Sequence, residues 1–537
     1  MKSGKETDRL LSGVDVDRPE IVIGLVGAIG TRLDEVETKL ERALTAVGYR
    51  TSRLRVSAAI TEATARRDDE IPKSLTKMDR LMDQGDFLRD QIKHGGAAAA
   101  LAITEIAGER NEGLSGGDSR PEREGFATIV RQLKHPKEVQ LLRAVYGPRF
   151  ILIGAWAPEE ERQKATQDSL RSRHPGESAN FYTENSARLI ERDEKDATKP
   201  LGQSVRKTFE LADAFVALIP GQDAANQITR IVELLFGNPF ITPTREEHAM
   251  AHAATTSLRS SDAGRQVGAV VADQDGEILV TGVNEVPKPG GGQYWPDDNP
   301  DHRDFRSGFD VNERLKLTLI TDILAKLQQA PGWLSKEFQK EELSKLAHRA
   351  VVDGPLTDSR VTGILEFGRV AHAEMAAICT AARRGIAIGG ETMYSTTYPC
   401  HECARLIIAS GIRRVVYIDP YPKSQVPEMY PYQIVDGSAP TANSSDVVTF
   451  EPFRGVAPRL YRSVFMMPDR AREDMTGEYA PFDAAKAAPR LVADAEAIHS
   501  IIDVEQGVID ETRKALAEFG FLPATGSDLN SENVVQS

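Results

Sequence analysis

Apolar residues along the chain fall into two patterns that alternate from the start. Ile21 to Val26 is a continuous apolar run, as in a strand buried on both faces, and it leads into Gly27-Ala28-Ile29-Gly30-Thr31. Leu33, Val36, Leu40, Leu44 and Val47 then recur at three- and four-residue steps, which predicts a helix stopped by Gly48. Strand, glycine-rich turn and helix together open an α/β domain. Phe150 to Ala155 and Phe215 to Ile219 are further buried-strand candidates, so residues 19–240 are predicted to form one α/β domain with a mostly parallel sheet. Glu109 to Glu124, glycine-rich and charged, reads as a mobile loop within it, and residues 1–18 as a flexible N-terminus.

A second pattern begins near Thr242. Glu246 to Leu258 predicts a helix, and Val267 to Val271 with Ile278 to Thr281 predict a hairpin around Asp275-Gly276. Pro287 to Arg306 is rich in turn residues, and helices are expected around Leu315 to Gln329 and Ser335 to Ala350. Beyond them come a helix from about His372, a strand at Thr392 to Thr396, a helix from Cys400 to Ser410 and a strand at Val415 to Ile418. The last three form a strand–helix–strand unit, parallel and right-handed by default. The second domain is therefore drawn at residues 241–470, with an insertion at about 288–365.

Composition narrows the class. A chain of 537 residues exceeds what a single core supports, and no apolar run approaches the ~20 residues that span a bilayer. Three cysteines form no disulfide framework, which points to a reduced, cytoplasmic protein. The net charge of −14 argues against a general nucleic-acid binder. From Ala471 onward there are 13 acidic and 5 basic residues, so residues 471–537 are expected to be an acidic, partly disordered tail with one helix, Asp503 to Phe519.

The chemistry concentrates in His372-Ala373-Glu374 and Pro399-Cys400-His401-Glu402-Cys403. Cysteines at i and i+3 share one helix face, and a helix start favours the thiolate, the form that binds metal. His372, Cys400 and Cys403 give Zn²⁺ three protein ligands and leave one position open, the pattern of a catalytic site. Glu374 is the expected proton carrier. The arrangement matches the H-x-E…P-C-x-x-C pattern of zinc nucleobase deaminases. His401 and Glu402 read as surface residues, and Cys379 as a small core residue. Asn284, in Gly282-Val283-Asn284-Glu285-Val286-Pro287, is the candidate contact to substrate. His302 with Asp298 and Asp301 offers a second metal set, although a solvated acidic loop is the preferred reading.

Thr242 to about Lys423 resembles the deoxycytidylate deaminases. The resemblance rests on Gln266 to Val271, Gly-x-Asn-x-x-Pro at 282–287, His-Ala-Glu at 372–374, and Tyr398-Pro399-Cys400 through Tyr417. It implies a cytidine-deaminase α/β/α sandwich in which His372, Cys400 and Cys403 hold zinc, Glu374 shuttles protons and Asn284 contacts the deoxyribose. One departure is the 87 residues between Asn284 and His372.

In the first domain, Gly24, Gly27, Gly30 and Thr31 lie where a P-loop would. The spacing is off by one, and Thr31 replaces the lysine of that motif. We read a degenerate P-loop kinase-like, three-layer α/β domain that binds nucleotide or signals; a purely structural turn is the alternative. The fused whole resembles the bacterial anti-phage dCTP/dCMP deaminases, through Gly27 to Thr31, Leu133-Lys134-His135-Pro136 to Tyr146-Gly147, Arg192-Asp193-Glu194 and Tyr421-Pro422-Lys423-Ser424. The resemblance implies conversion of dCTP and dCMP to dUTP and dUMP in antiviral defence, a homo-oligomer, and in some members restraint by a small RNA. A polynucleotide-editing deaminase and a housekeeping dCMP deaminase for thymidylate synthesis are the alternatives. Arg259, Arg265 and Lys423 are the candidates for phosphate contacts.

Overall fold

The computed structural model describes residues 18–112, 123–194, 201–357, 359–364, 366–419, 424–437, 447–467, 472, 476–479, 481–490 and 496–522. Most of the expected 109–124 loop, and Tyr421 to Lys423, lie outside these. The chain divides into two compact units, Met1–Glu247 with Arg454–Ser537, and His248–Phe453. Both are mixed α/β structures built on parallel-rich sheets.

In the first unit β1 (Ile21–Val26), β2 (Arg50–Arg55), β3 (Phe126–Arg131), β4 (Phe150–Trp156) and β5 (Ala214–Ala217) are parallel, in the order β5-β4-β1-β3-β2. Ile21, Ile23 and Leu25 of β1 alternate onto one face, against Leu33, Val36, Leu40 and Leu44 of the helix Leu33–Ala46 and Ile228, Ile231 and Leu235 of the helix Ala224–Leu235. Gly24 is inside β1, before the turn. A side chain there would strike Leu133 and Phe150.

In the second unit β6 (Gly268–Ala272), β7 (Ile278–Val283), β8 (Thr392–Thr397), β9 (Arg414–Asp419), β10 (Ile434–Asp436) and β11 (Val448–Pro452) form a sheet ordered β10-β11-β9-β8-β6-β7. The β6–β7 hairpin is antiparallel, β6 joins β8 antiparallel, and β8, β9, β11 and β10 run parallel. The predicted strand–helix–strand unit is thus β8, the helix His401–Ser410, and β9. The helix Ala373–Arg384 lies on β7, and Gly282 makes this closeness possible. A β-carbon at Gly282 would stand 2.1 Å from the Ala373 carbonyl oxygen and 2.4 Å from the Ala377 nitrogen. Cys379 of that helix is exposed, contrary to expectation, because the apolar run around it turns Ala373, Ala376 and Ala377 inward in its place.

The structure divides the chain at Glu247/His248 and Phe453/Arg454, where sequence patterning placed borders near 240 and 470. After Phe453 the chain returns to the first unit: β12 (Gly455–Val456) pairs antiparallel with β5. The C-terminal helix, Glu496–Glu518, is no appendage. It packs on the helix Ala97–Glu112, and its Glu505 is buried against Arg110 and the Tyr146 hydroxyl, with Glu20 completing the cluster. A buried carboxylate needs such partners, and charge counting alone does not reveal them. Among the described residues no helix is long and apolar enough to cross a membrane.

Replacing Gly282 by alanine forces backbone against backbone, so it is expected to lower stability by about 1–3 kcal/mol. Because the displaced helix begins next to His372, metal held through His372 is expected to be lost with it. Thermal unfolding and metal analysis of Gly282→Ala check both.

Candidate active site

Two helices begin at the site. His372 is the N-cap residue of Ala373–Arg384, and Cys400 that of His401–Ser410. His372 Nδ1 lies 3.2 Å from Cys400 Sγ and 3.3 Å from Cys403 Sγ. The three ligand atoms form a cluster within 4.8 Å of one another, the one such group of metal-binding side chains among the described residues. Zinc bonds of about 2.0 Å to nitrogen and 2.3 Å to sulfur give tetrahedral edges of roughly 3.5 Å. The observed separations are close to these, and both cysteines are buried. The residues therefore fit zinc.

Glu374, on the first turn of its helix, is fully enclosed. Its Oε2 accepts from Cys403 Sγ at 3.2 Å and its Oε1 from the Ser395 hydroxyl at 2.9 Å. Burial, and next the Cys400 charge, push its carboxyl above the usual range. Cys400 is drawn down to about 4 by the hydrogen bond from Cys403, with the His372 contact adding to it. Cys403 is pushed well up by burial and by its Cys400 and Glu374 neighbours. Burial opposes charge on His372, but Cys400 and Glu374 outweigh it and raise the imidazole to about 9. Three groups that carry or approach negative charge, crowded away from water, favour a cation between them.

Asn284 is buried at the end of β7. Its Oδ1 accepts from the Val267 amide at 2.7 Å, and its Nδ2 donates to the Arg265 carbonyl at 2.7 Å and to Asp262 at 3.0 Å. Its amide thus clasps the 262–267 loop. The next residue, Glu285, exchanges backbone hydrogen bonds with Ala371, directly before His372. The 87 residues separating Asn284 from His372 therefore leave and return at one point.

The second-metal set is dispersed into ion pairs, Asp298 with Lys288 and Asp301 with Arg303 and Arg306. The His302 ring packs edge-on to Tyr294. His401 faces Glu366 at 3.7 Å, outside the metal cluster. Of the phosphate candidates, Arg259 bonds to Gln293 and stacks on Trp295, and Arg265 pairs with Asp419 at 2.9 Å. Lys423 lies outside the described residues. Sequence reasoning missed Ser395 and Asp262. A polar residue on the buried face of β8 was the available signal for Ser395.

Residues 243–419 match the family model described as "Cytidine and deoxycytidylate deaminase zinc-binding region". A deoxycytidylate deaminase of Enterobacteria phage T2 is 50% identical over 54 residues, 10% of this chain and 29% of the phage protein. A probable deoxycytidylate deaminase of Drosophila melanogaster is 23% identical over 203 residues, 38% of this chain and 72% of the fly protein. The dCMP deaminase of cyanophage S-TIM5 in apo form is 18% identical, covering 39% of this chain and 99% of that one, with a TM-score of 0.20. The chain spans less than a third of the length of the phage T2 relative. The His, Cys, Cys and Glu side chains that the structure brings together all lie within residues 243–419, the stretch that matches this zinc-binding deaminase region.

Proposed function

We propose that this chain removes the C4 amino group of cytosine deoxynucleotides, converting dCTP and dCMP to dUTP and dUMP with release of ammonia. The carrying observation is the placement of Glu374: a buried carboxyl, held by Ser395, against a His/Cys/Cys cluster that fits zinc. Zinc, when bound by His372, Cys400 and Cys403, supplies a water whose pKa is lowered towards ~7. As the water oxygen adds to C4, Glu374 carries one proton from it to N3 of the ring. Glu374 then passes a second proton, from the hydroxyl now on C4, to the amino group, which leaves as ammonia when the C4–N bond breaks. Its raised pKa suits this work, since the same carboxyl must accept and return a proton near neutral pH. We assign Asn284 to the deoxyribose, directly or through the 262–267 loop that it clasps.

The acidic balance of the chain favours a free nucleotide over a polymer. We place the enzyme in the reduced cytoplasm, where two metal-binding thiols persist, and as a homo-oligomer. We assign it to antiviral depletion of the deoxycytidine nucleotide pool, on the resemblance of the fused chain to anti-phage deaminases.

Glu374→Gln is expected to retain zinc and lose turnover by about a hundredfold or more, whereas His372→Ala loses the metal itself. Metal analysis beside ammonia release separates the two. Ser395→Ala removes the hydrogen bond that orients Glu374. It is expected to lower kcat by about tenfold, the worth of one such bond, with KM little changed. Ammonia release from dCMP, dCTP and single-stranded DNA tests the substrate class. Free nucleotides are expected to react, and uracil appearing in the polymer alone would overturn the proposal.

A further inference from the structure

The Gly27–Thr31 turn takes no part in the chemistry above. It follows β1 at the carboxyl edge of the first sheet. The connection leaving β1 passes β3 to reach β2, and that leaving β3 passes β1 to reach β4. Right-handed connections running in opposite directions put their helices on opposite faces, which opens a crevice beyond the carboxyl ends of β1 and β3. A cavity of about 860 Å³ lies there, within the size range of small-molecule sites.

The turn is not an open anion seat. The Ile29 amide donates to Asp193 at 2.6 Å, and Asp193, fully buried, also binds Lys134. An internal carboxylate thus takes the amide, and with it the nearest lysine. Elsewhere in the cavity wall Arg89 is neutralised by Asp86 and Glu138, and Arg131 by Glu37. Arg32 pairs with Glu35 at 3.6 Å. Three cations remain: Arg55 at the end of β2, Lys77 at the start of the helix Lys77–Ile92, and Arg173 at the end of the helix Glu159–Arg173. All three are exposed, line the cavity, and have no ion pair among the described residues. Thr31 and Gln203 also line it. Both are buried, and the Thr31 hydroxyl and the Gln203 carbonyl oxygen have no hydrogen-bond partner among the described residues. Ile60, Met78 and Met82 give the same cavity an apolar wall.

We propose that this cavity binds a nucleoside triphosphate, its phosphates met by Arg55, Lys77 and Arg173 and its base packed against Ile60, Met78 and Met82. Glu62 also lines the cavity, so among the described residues three unpaired cations face one unpaired carboxylate. The wall is net positive and matches a polyanion, and its apolar part matches a ring that a bare polyphosphate lacks. The nucleotide thereby lies beside the Gly27–Thr31 turn, whose anion position Asp193 already fills.

The test is equilibrium dialysis of labelled ATP and GTP against the full-length, zinc-loaded protein; a cytosine-deaminating centre does not consume either purine. One nucleotide is expected per chain. Arg55→Glu with Arg173→Glu is expected to raise Kd by about tenfold or more. Both side chains are exposed, so the thermal unfolding midpoint is expected to hold, and Lys77→Glu repeats the measurement should the double variant unfold. Inorganic triphosphate is expected to compete at least about tenfold more weakly than ATP. Failure to retain either purine nucleotide at millimolar concentration, retention unaffected by the charge reversals, or equal competition by inorganic triphosphate would each overturn the proposal. None of these readings depends on deamination, so they stand or fall apart from the proposed activity.

Discussion

Two helix N-termini aimed at one spot are the constraint on which the candidate site depends. His372 and Cys400 each cap a helix, and the unsatisfied amides there carry partial positive charge. That charge favours the Cys400 thiolate, in a buried place that pushes Cys403 and Glu374 towards their protonated forms. Aiming both helices requires two fixed platforms. The β8–helix–β9 unit supplies one, through parallel pairing of Thr392 to Thr397 with Arg414 to Asp419. The β7 strand supplies the other, because Gly282 allows the helix Ala373–Arg384 to lie backbone to backbone upon it. Ser395 joins the two platforms: it belongs to β8 and holds Glu374 of the other helix.

Elements with a strong period were legible in the sequence. The apolar runs at β1 and β4 and the spacing from Leu33 to Leu44 place strands and helix to within a residue or two. β2 was not legible, because Arg50 to Arg55 is an edge strand whose exposed side chains carry charge. The C-terminal helix shows the complementary difficulty. Its acidic composition reads as solvated, yet Glu505 is one of the buried residues, and the arginine that neutralises it is 395 positions away. Ion pairing across such a distance leaves no local trace.

The His/Cys/Cys cluster was legible because metal-binding chemistry forces residue types into fixed spacing: two thiols three apart on a helix, and a carboxyl two residues after an imidazole. Asn284 was legible as a polar residue at a strand end, but its bonds to Val267, Arg265 and Asp262 show it organising a loop, which no motif states. Gly24, Gly27 and Gly30 illustrate how spacing can mislead. Gly24 answers to packing against Leu133 and Phe150. Gly30 adopts a φ of +81° with no room for a side chain beside Arg162. The amide that a phosphate would need belongs to Asp193.

The insertion between Asn284 and His372 can be long because it is closed at its base. Backbone bonds between Glu285 and Ala371 fix both ends in register with β7, and the entropy of closing a loop grows only by about 0.6 kcal/mol per doubling of its length. Ordering the inserted residues is the larger cost, and they meet it themselves. Ile320 and Leu324 of one helix pack against Leu346, Ala347 and Ala350 of another as a separate small core. One contact between the segment before His372 and the helices of the His/Cys/Cys cluster is Glu366 with His401, the residue following Cys400, at 3.7 Å.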